Sequence, residues 1–95
     1  MDIYTLIPQL KEYLTESVEN KRVIKESYNK KDDTNYEIVV HKLKSESRML
    51  GLTDLGEMFY NHELAAKRKD WDYINKEYTL LISEYDKVLN VLEKL

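Results

Sequence analysis

Tyr36-Glu37-Ile38-Val39-Val40-His41-Lys42-Leu43-Lys44-Ser45-Glu46-Ser47-Arg48-Met49-Leu50-Gly51 is the stretch that decides the fold. Tyr36, Val39, Val40, Leu43, Ser47 and Leu50 recur at the spacing of one helical face. Glu37, Ile38, His41, Lys44, Ser45 and Arg48 fall on the opposite face. A helix is therefore predicted from about Thr34 through His41 to Gly51. Thr34 and Glu37 have the spacing of a capping box, and Gly51 can stop the helix at its C-terminal end.

Three more helices are predicted around it. After Gly51, Thr53 can cap a helix running to about Lys69. Leu55, Met58, Phe59, His62 and Ala66 share its apolar face, and Gly56, Tyr60, Glu63 and Lys67 form a strip on the flank. The last helix carries the clearest seam: Ile74, Tyr78, Leu81, Tyr85, Val88, Leu92 and Leu95, with Asp70 or Asp72 to cap its start. Such a seam could also zip two copies together, but in a chain this short it is expected to pack on its own bundle. The first segment is the weakest. Ile3, Ile7, Leu10 and Leu14 are periodic, as are Ile24 and Tyr28, but Glu19-Asn20-Lys21 interrupts the stripe. Pro8 is tolerable only in a first turn or at a kink. One long helix, or two shorter ones jointed near Ser17, both fit. Short connections imply antiparallel neighbours, so the expected fold is all-α, an antiparallel up-and-down four-helix bundle with a short or kinked N-terminal helix as a variant.

Size and composition agree. The chain has 95 residues, with two Gly, one Pro and 35% charged side chains, so it reads as a single helical domain over residues 1–95. Zero Cys excludes disulfides and thiolate metal sites. Membrane contact is not expected, since no apolar run approaches the ~20 residues of a bilayer span. Met1-Asp2-Ile3-Tyr4 lacks the basic, apolar start of a signal peptide. A cytoplasmic location is the default expectation. The net charge of −3 argues against nucleic acid as a partner, and the basic clusters Lys21-Arg22 and Lys67-Arg68-Lys69 read as solvated helix ends. There is no Gly-rich phosphate loop, so no nucleotide site is expected, and no Glu-x-x-His pair of the kind a bundle di-metal site uses. No metal and no cofactor are expected.

The polar face of the second helix carries the chemistry. His41 stands mid-helix opposite the apolar stripe, whereas a structural histidine is more often buried or near a helix end. Lys44 follows one turn on and Arg48 two turns on, on the same side. Ser45 is small and leaves the imidazole open, while Ile38 and Met49 give the face an apolar border that a docking protein could cover. A nucleophilic nitrogen, free space and nearby cations are what phosphoryl transfer needs, because its catalysis is mostly positioning and charge stabilisation. His62, the other histidine, lies on an apolar stripe and reads as a buried, hydrogen-bonded core residue.

The stretch from His41 to Gly51 resembles the signature of the histidine-phosphotransfer (HPt) domains of two-component phosphorelays: His-x-Leu-Lys, a small residue, and a Gly after an aliphatic residue at matching spacing. The resemblance continues through Leu55, Glu63 and Lys69-Asp70-Trp71 into the last helix, covering roughly 36–85. It implies that His41 is the phosphoacceptor, reacting through Nε2, and that Lys44 contacts the phosphoryl oxygens. Ser45 stands where the family usually has Gly, and Glu46 departs from the commoner small residue. Unbroken counting places Glu63 where many members hold the histidine Nδ1 with a Gln or Glu. An acceptor there would fix the tautomer and leave Nε2 as the nucleophile.

The resemblance further implies a carrier between receiver domains of response regulators or hybrid histidine kinases, not an autonomous kinase. Such a carrier is expected to be a monomer, either free-standing or part of a larger hybrid sensor kinase. The receiver docking face would comprise Ile38, Ser45, Arg48 and Met49. The alternative is a non-catalytic helical-bundle module that docks receiver or kinase domains with His41 incidental.

Overall fold

The computed structural model describes residues 2–95; Met1, read above as part of the N-terminal stretch, lies outside them. Four helices account for the fold: α1 (Ile3–Lys30), α2 (Asp33–Met49), α3 (Thr53–Lys67) and α4 (Trp71–Leu92). Among the described residues there is no strand. No described helix is long and apolar enough to cross a membrane. Each helix touches two others, α1 against α2 and α4, and α3 against α2 and α4, with the α2–α3 contact the most extensive.

The helix ends show why the chain breaks where it does. After α2, Gly51 adopts φ 78°, and two amides fold back: Gly51 N–H to the Arg48 carbonyl and Leu52 N–H to the Ser47 carbonyl. This Schellman arrangement satisfies carbonyls that the helix leaves open, and glycine takes the left-handed conformation without steric cost. The same device ends α1 at Lys31 (φ 51°) and α3 at Lys69 (φ 57°), with Asp32 and Asp70 donating the returning amides to Ser27 and Ala65. There a lysine bears the strain of positive φ.

Those turns correct three expected boundaries. Because the chain reverses at Lys31, Asp32 is the residue left at the entry of α2; its carboxylate accepts from the Asn35 backbone N–H, and Thr34 lies inside the first turn. Likewise α3 begins at Thr53 itself, behind Leu52, and no side chain caps it. Its last residue is Lys67, since Lys69 has turned left-handed. Asp70 caps α4, accepting from Tyr73 N–H.

α1 is one helix with no joint near Ser17. Its buried stripe is Tyr13, Ser17, Asn20, Ile24 and Ser27, so the stretch that looked like an interruption contributes Asn20 to the buried face. The Ser17 and Ser27 hydroxyls satisfy themselves on Leu14 and Val23 carbonyls of their own helix, which lets small polar residues sit against neighbours. Pro8 lies in the second turn, beyond the first-turn position expected for it; the Tyr4 carbonyl that loses its partner belongs to an exposed residue.

The core is aromatic. Tyr36, Phe59 and Tyr85 are fully buried with Ile24, Val40, Leu43, Ile74 and Leu81. Phe59 meets Tyr85 edge-on at 5.3 Å, and Tyr13 meets the same ring at 6.1 Å. Leu89, outside the expected α4 seam, is buried, whereas Leu95 lies past the helix and is exposed. Two buried hydroxyls are paired across helices, Tyr13 Oη with Ser47 Oγ at 2.8 Å and Tyr36 Oη with His62 Nδ1 at 2.8 Å, while the buried Tyr85 hydroxyl has no partner among the described residues. At one end Tyr28 stacks on Tyr78 at 3.7 Å, and Trp71 donates its indole N–H to Asp33.

Candidate functional site

The site is built on α2 and α3, and their spacing begins at Gly56. A β-carbon there would lie 3.0 Å from Arg48 Cγ, 3.5 Å from Arg48 N and 3.6 Å from the Lys44 carbonyl. The two backbone atoms are at ordinary contact distance for a β-carbon, so the absent side chain chiefly leaves room for the Arg48 side chain to lie across Gly56. From that contact the facing residues step together: Arg48 and Lys44 lie over the Tyr60 ring, and two turns from Gly56, Glu63 reaches His41.

Glu63 is the hub. Its Oε2 is 2.8 Å from His41 Nδ1, and its Oε1 is 2.9 Å from Lys44 Nζ. Lys67 Nζ stands 3.4 Å from Oε2, one helical turn along α3. The carboxylate is nearly sealed from solvent, with 3% side-chain exposure, whereas the His41 side chain is 57% exposed. Burial works to raise the Glu63 carboxyl, but the hydrogen bonds from Lys44 and His41 and their charges outweigh it and hold the group at about 2. The hub is therefore an anion at neutral pH.

An anionic oxygen at 2.8 Å demands a donor, so the His41 proton belongs on Nδ1. Lys44 Nζ also lies 3.3 Å from Nδ1. With Nδ1 donating, that approach is a contact and not a second hydrogen bond, and the ammonium serves Glu63 Oε1. The tautomer leaves the Nε2 lone pair free, and among the described residues no protein group hydrogen-bonds Nε2. The arrangement is an exposed imidazole, oriented from behind by a buried carboxylate, with a lysine ammonium beside it.

The other expected site residues divide. Ser45 is exposed, as are Ile38 (60%) and Met49 (67%), so the polar face does carry accessible apolar flanks. Lys44 is gathered into the site, with only 13% of its side chain exposed. Arg48 is not gathered in; its guanidinium lies 3.3 Å from Glu57 Oε2 and 4.9 Å over the Tyr60 ring. Glu63 was expected on a flanking strip outside the core stripe, yet it is buried, because the close approach at Gly56 covers that strip with α2.

Sequence reasoning missed the part that Lys67 and Tyr60 play here: Lys67 reads there as a solvated helix end and Tyr60 only as a member of the flanking strip. The i,i+4 spacing of Glu63 and Lys67 was the available signal for the lysine. His62 faces the interior, with its Nδ1 on the Tyr36 hydroxyl, and burial lowers its pKa to about 4. It has no part in the exposed site. Among the described residues, no group of three His, Asp or Glu side chains is placed to hold a metal ion. Comparison with family models, with curated proteins and with solved structures finds no match for this chain.

Proposed function

We propose that this chain is a phosphorelay intermediate of the histidine-phosphotransfer type, with His41 as the residue that carries the phosphoryl group. One observation bears most of the weight: Glu63 Oε2 lies 2.8 Å from His41 Nδ1 while the ring is more than half exposed. A structural histidine has no need of a buried carboxylate on one nitrogen and open solvent at the other.

In the proposed reaction the Nε2 lone pair attacks the phosphorus of a receiver domain's aspartyl phosphate. The N–P bond forms as the P–O bond to the aspartate breaks, and the aspartate leaves as a carboxylate. The Nδ1 proton stays shared with Glu63, so the ring takes on positive charge as it bonds to phosphorus, and the buried anion faces that charge. Lys44 supplies a cation for the phosphoryl oxygens. Transfer to a second receiver is the same step reversed. No residue of this scheme needs a nucleotide, so the chain is a carrier and not a kinase.

The finer architecture belongs to the same proposal: an antiparallel up-and-down four-helix bundle. Arg48 faces Gly56, Lys44 faces Tyr60 and His41 faces Glu63, so numbering falls along α2 as it rises along α3. The pairs Tyr13–Ser47 and Asn20–Lys42 support the same sense for α1 and α2, and Lys21–Asp86 and Tyr28–Tyr78 for α1 and α4. Ile38, Ser45 and Met49 are the proposed receiver-docking surface, with Arg48 at its border, on a cytoplasmic monomer.

The test uses a receiver domain charged with acetyl phosphate. The protein should acquire an acid-labile, alkali-stable label that His41→Gln does not. If the receiver binds but no label is transferred, the non-catalytic docking module becomes the better account. Equal labelling of His41→Gln would remove His41 from the reaction.

A further inference from the structure

Three cationic or donor groups converge on one sealed carboxylate, and the phosphoryl-carrier scheme uses only two of them. His41 Nδ1 and Lys67 Nζ address Glu63 Oε2, at 2.8 and 3.4 Å, and Lys44 Nζ addresses Oε1 at 2.9 Å. We propose that Lys67 is a positioning residue of the phosphoryl-transfer site, holding the Glu63 carboxylate on His41 Nδ1 when Lys44 turns to the phosphoryl group. The inference rests on the carrier reading of the preceding subsection.

Lys44 has two claims on it. In the resting protein its ammonium neutralises Glu63 Oε1, on the Nδ1 side of the imidazole. The phosphoryl group arrives at Nε2, on the other side of the ring, with close to two negative charges by analogy with the ~−1.5 to −2 of a phosphorylated hydroxyl. A flexible ammonium is drawn toward the larger charge, and Oε1 then loses its cation. A carboxylate with 3% exposure cannot turn to water for replacement, and a buried charge that loses its partner is strongly disfavoured. It could take up a proton and cease to support the ring, or swing away from Nδ1.

Lys67 prevents both outcomes. It lies one turn beyond Glu63 on the same helix, so its contact is independent of any movement of α2. Its side chain is 52% exposed, so its own ammonium remains hydrated while it serves Oε2. The two lysines thus divide the work by surface: the covered one is free to move to the incoming charge, and the hydrated one stays.

Phosphoramidate is a suitable probe because it needs no cognate receiver. Nε2 bonds to phosphorus, the P–N bond breaks, and ammonia leaves from the nitrogen-protonated reagent. Phosphorus NMR then follows formation and loss of phosphohistidine in the wild-type chain, Lys67→Met and Lys67→Arg. Nitrogen NMR of the His41 ring in the unphosphorylated proteins reports the resting tautomer. Lys67→Met should form phosphohistidine roughly fivefold more slowly, within the range of a partly exposed ion pair, and lose it faster. Its resting ring spectrum should match wild type, because Lys44 still holds Glu63 there, and Lys67→Arg should restore the rate.

Wild-type rate and lifetime in Lys67→Met would overturn the role of Lys67 and leave His41 as the acceptor. A slow Lys67→Met with an altered resting ring and no rescue by Arg would also overturn it, as a general structural effect. A wild-type chain that takes no label at all would remove both proposals.

Discussion

Lowering the pH from 7 to 4 should destabilise this protein chiefly through His62, a residue remote from the exposed site. The imidazole is 1% exposed and its Nδ1 pairs with the Tyr36 hydroxyl. Burial depresses its pKa from 6.5 to about 4. The sign follows from where protons bind: below pH 6.5 the unfolded chain takes up a proton that the folded one refuses, until the pH reaches about 4. Stability is therefore complete above pH 6.5 and falls through that window. Each pH unit is worth ~1.36 kcal/mol, so the loss by pH 4 is roughly 3 kcal/mol. For a domain of this size that corresponds to a melting temperature lower by roughly 12–24 °C. Urea unfolding followed by circular dichroism at pH 7, 6, 5 and 4 measures the loss, with His62→Gln as the control. Gln presents an amide oxygen to Tyr36 and does not titrate in this range. Glu46, which burial pushes upward, acts in the opposite sense but is present in both proteins, so the difference between them isolates His62. Equal pH slopes in the two proteins between 6.5 and 5 would refute the reasoning.

Three further outcomes are expected. A second loss of stability should follow as the pH falls from about 4.5 to about 2, where Glu63 is protonated in the folded chain, and Glu63→Gln should remove it from the same urea series. Gly56→Leu should cost about 1–3 kcal/mol by overpacking the α2–α3 contact and should slow phosphohistidine formation, whereas His62→Gln at pH 7 should leave that rate unchanged; thermal melts with phosphorus NMR compare them. Lys69→Gly should raise stability by about 0.5–1 kcal/mol in urea unfolding, since it relieves a positive φ at some gain in unfolded-state freedom; a destabilised variant would mean the Lys69 side chain does more than end α3.

Much of this was visible in the sequence because helical counting is rigid. The stripe Tyr36, Val39, Val40, Leu43 turned His41 outward, whereas the pairing of His41 with Glu63 was implied by the resemblance to histidine-phosphotransfer domains, with the short link through Gly51 preserving the count. What counting missed is physically coherent. Ser17 and Asn20 are polar by composition, yet Ser17 satisfies itself on its own backbone and both pack inward, so a hydrophobic stripe could not reveal them. Asp32, Asp33 and Thr34 can all cap a helix, and the choice fell to the left-handed turn at Lys31, a conformation that lysine rarely signals. The burial of Glu63 depended on the interhelical distance at Gly56, which no single-helix periodicity contains.

The shared carboxylate has a consequence for how such a protein can change. Among the described residues, every group that addresses His41 or its Glu63 partner lies in one uninterrupted segment of chain from His41 to Lys67, turned back on itself at Gly51. The outer helices α1 and α4 contribute walls and no chemistry to it. Their sequences can drift, lengthen or be exchanged for other helical partners as long as the walls fit, while the hairpin between them keeps the arrangement of His41, Lys44, Glu63 and Lys67 as a transplantable cassette.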